Sequence, residues 1–92
     1  MPKTSLQQAI RNAKNYVSEA FGDEQPMNIG LEEIRFDDDE NSWKITIGFS
    51  RPWDSENFAL PFDQKYRRVY KVVTIDDASG EATSIIQREI AA

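Results

Sequence analysis

Only one stretch of this chain repeats its apolar residues every three or four positions; the later patterned stretches repeat every second position. Between Thr4 and Phe21, the residues Leu6, Ile10, Ala13, Val17, Ala20 and Phe21 fall on one arc, while Arg11, Lys14, Asn15, Ser18 and Glu19 fall elsewhere. That spacing predicts one amphipathic helix. Thr4 with Gln7, or Ser5 with Gln8, has the form of a capping box at its start, and Gly22 stands where a C′ glycine would end it. A helix with one apolar arc must lay it on another element, and strands are what the remaining sequence offers. The expected fold class is therefore α+β, an N-terminal helix on one face of a four-stranded antiparallel sheet, in the order α-β-β-β-β and in two layers.

The strands are read from their alternation. Ile29–Asp37 places Ile34 and Phe36 on one side, with Leu31 out of phase, so a bulge or a late start is expected. Trp43–Arg51 alternates Trp43, Ile45, Ile47 and Phe49 against Lys44, Thr46, Gly48 and Ser50, and the polar turn Asp37–Ser42 makes these two runs a hairpin. The helix is expected on the Trp43 side. Tyr66–Asp76 carries apolar residues on both faces, which suits a central strand. Asp76–Glu81 is a turn with Gly80 suited to a positive φ, and Ala82–Ile90 is the last strand, with Ile85, Ile86 and Ile90 as its apolar content. Residues 52–65 contain Pro52 and Pro61 and read as an irregular segment. At 92 residues the chain is expected to be a single domain, 1–92.

What the sequence lacks narrows its chemistry. It contains no histidine and no cysteine. The usual general base near neutral pH is missing, as are the thiolate nucleophile and the imidazole or thiolate ligands of zinc, haem, copper and iron–sulfur sites. Its sixteen acids guarantee close carboxylate pairs, so proximity alone is no sign of catalysis. A domain this small rarely supplies the cleft such a pair needs. The expectation is a protein that is not an enzyme and needs no cofactor. No apolar run reaches the roughly 18 residues of a membrane span, and the N-terminus has no apolar signal core, so a cytoplasmic location off the membrane is expected. The net charge of −5 opposes general binding to a nucleic-acid backbone and suits an acidic face meeting a basic partner.

Tyr70-Lys71-Val72-Val73-Thr74-Ile75-Asp76-Asp77-Ala78-Ser79-Gly80-Glu81-Ala82 resembles the closing hairpin of PepSY-type domains. There a tyrosine-containing strand runs through an aspartate and a Ser/Thr-Gly-Glu turn into another strand. Those domains also begin with a helix and have a cystatin-like helix-on-sheet shape, and similar hairpins occur in small bacterial immunity proteins that neutralise toxins. The resemblance covers about a fifth of the chain. It implies a non-catalytic binding or inhibitory module and assigns no functional residues. PepSY domains are typically exported or membrane-attached, which this N-terminus does not suggest.

Four constellations remain. Between Glu19 and Glu40 there are nine acids and one base, Arg35. They could form a negative patch for a basic partner or mimic phosphate spacing. They also suit a solvated helix end, a charge-guarded edge strand and a polar turn. Asp37, Asp39 and Asn41 have the first spacings of an EF-hand loop, but Ser42 and Gly48 stand where that loop needs glycine and glutamate, so no metal is assigned. Trp53, Phe58 and Phe62 lie in the irregular segment, either as interface anchors or as cover for the sheet. Lys65, Arg67, Arg68 and Lys71 could bind an anion or nucleic acid, or pair across strands.

The expectation drawn from these is a protein-binding module, an immunity or inhibitor protein, whose partner has a basic surface. Its candidate site is Asp37, Asp38, Asp39 and Glu40 together with Trp53 and Phe58. The alternatives are a homo-oligomer, in its simplest form a homodimer joined by the aromatic segment or an edge strand, and an acidic nucleic-acid mimic or nucleic-acid-binding accessory protein.

Overall fold

The computed structural model describes residues 2–52 and 68–88. Helix α1 (Leu6–Ala20) packs on one face of an antiparallel sheet formed by β1 (Met27–Asp37), β2 (Ser42–Ser50), β3 (Val69–Asp76) and β4 (Ala82–Gln87). The strands lie in sequence order, β1-β2-β3-β4, so β3 is central as its two apolar faces suggest. No helix among the described residues is long and apolar enough to cross a membrane.

The helix begins as its capping residues direct. Ser5 is the N-cap, and its side chain accepts the Gln8 amide at 3.1 Å. The Gln8 side chain does not complete a capping box; it donates to Asn12 one turn on, at 2.8 Å. The far end differs from expectation. Gly22 does not close the helix in a left-handed conformation. The chain tightens into a 3-10 turn over Gly22–Glu24 and takes its left-handed step at Gln25, φ 53°.

Ala9, Ala13 and Val17, spaced by four, are the fully buried helix residues. Leu6 and Ala20 fall on the same arc but stand in the first and last turns, and Leu6 is 48% exposed. The sheet meets only the middle of the helix. Small residues at 9 and 13 let the helix sit close, while the sheet supplies the bulk: Trp43, Ile45, Ile47, Phe49, Val73 and Ile75. Phe21 caps one end of this layer against Phe49, ring centroids 5.4 Å apart, and Phe36 meets Trp43 edge-on at 5.1 Å.

Register explains the out-of-phase Leu31. Leu31 pairs with Ile47, but the next paired position is Glu33 with Thr46, so Glu32 is the extra residue of a bulge. The bulge sends both Glu32 and Glu33 to the face away from the helix, where Glu32 lies over Gly48 and Glu33 meets Arg88. Gly48 leaves room for Glu32 and Arg68: a Cβ on it would fall 2.7 Å from the Glu32 carboxylate and 3.0 Å from Arg68, so a larger residue would push these side chains aside.

The turn between β3 and β4 fastens the start of the chain. Gly80 has φ 76°, Asp76 accepts the Ser79 amide through its side chain, and the Gly80 amide donates to the Asp76 carbonyl. Asp77 turns inward and is 6% exposed. Its carboxylate accepts the backbone amides of Lys3 and Thr4 at 2.6 and 2.9 Å, its carbonyl accepts the Thr4 hydroxyl at 2.7 Å, and Asn12 donates to the Gly80 carbonyl at 2.6 Å.

Candidate functional site

The acidic turn closes β1 into β2 at one end of the sheet. Asp37 spends its carboxylate on the turn itself: Oδ1 accepts the amides of Asp39 and Glu40 at 3.0 and 3.2 Å. Asn41 follows with φ 51°, a conformation asparagine tolerates. Glu40 pairs with Lys44 at 2.7 Å. Asp38 and Asp39 are left exposed, with no side-chain hydrogen bond or ion pair among the described residues. Of the four predicted acids, two build the turn and two are offered to solvent. Among the described residues no group of three ligand-type side chains is arranged to hold a metal ion.

Trp53 and Phe58 lie outside the described residues, as do Phe62, Lys65 and Arg67. The described chain leaves β2 through Arg51 and Pro52, at the opposite end of that strand from the acidic turn. A nine-residue strand separates those ends by about 27 Å.

The basic run does not form one patch where it is described. Arg68 and Lys71 fall on opposite faces, as an odd spacing in a strand requires. Arg68 donates to the Asn28 carbonyl at 2.8 Å and to Glu32 at 3.3 Å, across the face that the helix leaves open. Lys71 is on the helix side, 2.6 Å from the Gln87 side-chain oxygen and 5.1 Å from the centroid of Phe21.

The open face itself carries residues that sequence reasoning missed. Arg88 reaches from beyond β4 across the sheet to Glu33 and to the Thr46 hydroxyl, the latter at 3.1 Å. Thr46 is only 4% exposed although it faces away from the helix. A shallow groove of about 510 Å³ runs here, lined among the described residues by Glu32, Glu33, Thr46, Tyr70 and Arg88. A smaller one of about 240 Å³ shares Glu33, Thr46 and Arg88 and continues to Arg35, Lys44 and Val72. Together the two grooves carry two acids, Glu32 and Glu33, and three bases, Arg35, Lys44 and Arg88, so the surface is of mixed charge. The signal in the sequence was the Glu32-Glu33 pair at an out-of-phase position, which marks the bulge that brings both to one face.

Among the described residues, Asp77 is the one titratable group whose pKa is displaced. Its carboxyl is held below the ordinary value of 3.8, chiefly by the Lys3 amide; burial opposes the shift, and the Thr4 amide and the Lys3 charge add to it. The Trp43 indole N–H also favours the charged form, although Nε1 makes no hydrogen bond of ordinary geometry among the described residues. This group fastens the fold and lies away from the open face. No family model matches the chain, and neither a curated protein nor a solved structure matches it.

Proposed function

We infer that this chain is a non-enzymatic protein-binding module, of the immunity or inhibitor kind, whose partner carries a basic surface. The observation that supports this most is the division of labour in the acidic turn. Asp37 and Glu40 fix its shape, so Asp38 and Asp39 are presented on a preorganised loop rather than a loose one. Exposed acids on a fixed loop steer a basic partner and set its register, and an aromatic anchor supplies the buried contact. Trp53 and Phe58 are assigned the anchor role. The resemblance of the β3–β4 hairpin to that of PepSY-type domains and small immunity proteins is in line with this reading. So is the lack of histidine and cysteine, which leaves little for acid–base or nucleophilic chemistry. A cytoplasmic location belongs to the same proposal, since a domain without cysteine is suited to a reducing compartment.

The test begins with photo-crosslinking from position 39 in lysate of the source organism, followed by purification of the captured protein. Titration of that protein against Trp53→Ala and against the Asp38→Asn/Asp39→Asn double variant then separates the two roles. The aromatic change is expected to raise the dissociation constant about thirtyfold or more, mainly through faster dissociation. The acidic pair is expected to slow association about threefold to tenfold, with the difference fading in high salt. A partner indifferent to both variants removes the site.

A further inference from the structure

The two edges of the sheet are not equally protected. Edge strand β1 carries Glu32, Glu33 and Arg35, and its pairing slips twice, between Met27 and Gly30 and between Leu31 and Glu33. Charges and bulges of this kind stop another strand from adding on. Edge strand β4, Ala82-Thr83-Ser84-Ile85-Ile86-Gln87, has no charge and no proline. From Ser84 to Gln87 its register with β3 is unbroken. Ile86 points to the open face and, at 61%, is the most exposed large apolar residue among those described.

The direction of the β4 backbone groups that have no strand partner among the described residues follows from one hydrogen bond. The Arg88 amide donates to the Tyr70 carbonyl at 2.9 Å, so residue 88 faces β3. Alternate residues of a regular antiparallel strand face opposite neighbours, so Ile86 and Ser84 also face β3. Ile85 and Gln87 therefore turn their N–H and C=O groups outward, away from the sheet.

We propose that β4 is a self-association edge, taking the β4 strand of a second copy of this chain antiparallel across a two-fold axis at Ile86. In that register Ile85 of one copy exchanges backbone hydrogen bonds with Gln87 of the other. Ile86 meets its own symmetry mate on the open face as a non-hydrogen-bonded pair, the arrangement in which side chains approach most closely. A second copy fits because the strand is self-complementary: it brings an uncharged segment and an isoleucine to cover Ile86. The charge distribution permits it despite the net −5, because six of the sixteen acids, Glu32, Glu33, Asp37, Asp38, Asp39 and Glu40, lie on β1 and the turn that follows it, at the other edge of the sheet. Antiparallel pairing also puts the two acidic turns at opposite ends of the joined sheet. This surface is separate from the acidic turn, so the proposal holds or fails independently of the protein-binding reading.

The absence of cysteine makes the test clean, because any introduced cysteine is the only one. Paired residues at the axis have Cα atoms about 4.5 Å apart, inside the range a disulfide spans. Under mild oxidation Ile86→Cys is expected to give a covalent dimer, whereas Leu31→Cys on the β1 edge and Ser84→Cys, which is off the axis, stay monomeric. Sedimentation of the unmodified protein at concentrations up to about 1 mM is expected to show a monomer–dimer equilibrium, weakened at least about tenfold by Ile86→Lys. Residue 86 is exposed, so the monomer fold tolerates both changes, and an unchanged unfolding midpoint for monomeric Ile86→Lys checks this. A protein that sediments as a monomer throughout, a cross-link at position 86 no faster than at position 31, or cross-linking at 84 in preference to 86 overturns the proposal.

Discussion

The two faces of the sheet are held together by different physics. On the helix side, Ile45, Ile47, Phe49, Val73 and Ile75 are fully buried and meet Ala9, Ala13 and Val17. On the other side, among the described residues, Tyr70, Val72 and Ile86 stand beside polar contacts that cross the strands: Arg68 with Glu32, Arg88 with Glu33 and Thr46, and Lys44 with Glu40 and Thr74. The first kind of contact removes apolar area from water and leaves a cavity when truncated. The second exchanges hydration for partly exposed ion pairs, whose net gain is small. The helix face therefore carries the stability. The open face has a defined surface chemistry that can change without unfolding the chain, which is the property a recognition surface needs.

Stability measurements can break that contrast. The largest loss is expected for Phe49→Ala, about 3–5 kcal/mol in denaturant unfolding, because it empties a fully buried site that Phe21 also lines. Ala13→Leu on the same face is expected to cost about 1–3 kcal/mol by forcing the helix off the sheet.

Asp77→Asn should follow. An amide can accept one of the two backbone amides that the carboxylate holds, but it presents a donor to the other. Because the folded pKa is lowered, the charged group stabilises the fold above the unfolded value, and that contribution disappears as pH falls through the folded one. Thermal melts should show the variant below the wild type at pH 7 and the two converging below about pH 4. A gap that persists into acid would mean that shape, and not charge, is what Asp77 supplies.

The smallest effects belong to the open face. Gly48→Val displaces the Glu32–Arg68 pair and is expected to cost about 1 kcal/mol. Glu33→Gln removes one charge from a half-exposed pair and should cost under about 1 kcal/mol, less still in high salt. If Glu33→Gln matched Phe49→Ala, the two faces would not differ as argued.

The same contrast accounts for what was legible in the sequence. Alternation in Trp43–Phe49 and Val69–Ile75 fixes which residues face the helix, and the phase error at Leu31 announces the bulge, because burial imposes a period. Gly80 announces its turn because few other residues adopt its φ. Polar contacts impose no period. Nothing local separates Asp76, which shapes its own turn, from Asp77, which holds amides 73 and 74 positions away. Arg88 reaching Glu33 across 55 positions is equally silent. In the candidate site, the turn from Asp37 to Glu40 was legible, but which of its acids are structural was not, since that depends on where Lys44 and the turn amides lie. Ala9 escaped notice because alanine is a weak apolar signal, although contact with the sheet buries it completely.

The fastening of Lys3 and Thr4 to Asp77 also sets an order on the making of the fold. The helix leaves the ribosome before the strands it rests on and before the carboxylate that fixes its leading end. While residues 21–76 emerge, its apolar arc has no complete sheet to cover it. The β1–β2 hairpin can form as soon as residue 50 is out and offers the helix Trp43, Ile45, Ile47 and Phe49, but Val73, Ile75 and the Asp77 carboxylate come only with the β3–β4 hairpin. Such contacts between distant positions slow folding. A newly made chain therefore lacks part of the cover over Ala9, Ala13 and Val17 until the β3–β4 hairpin is complete.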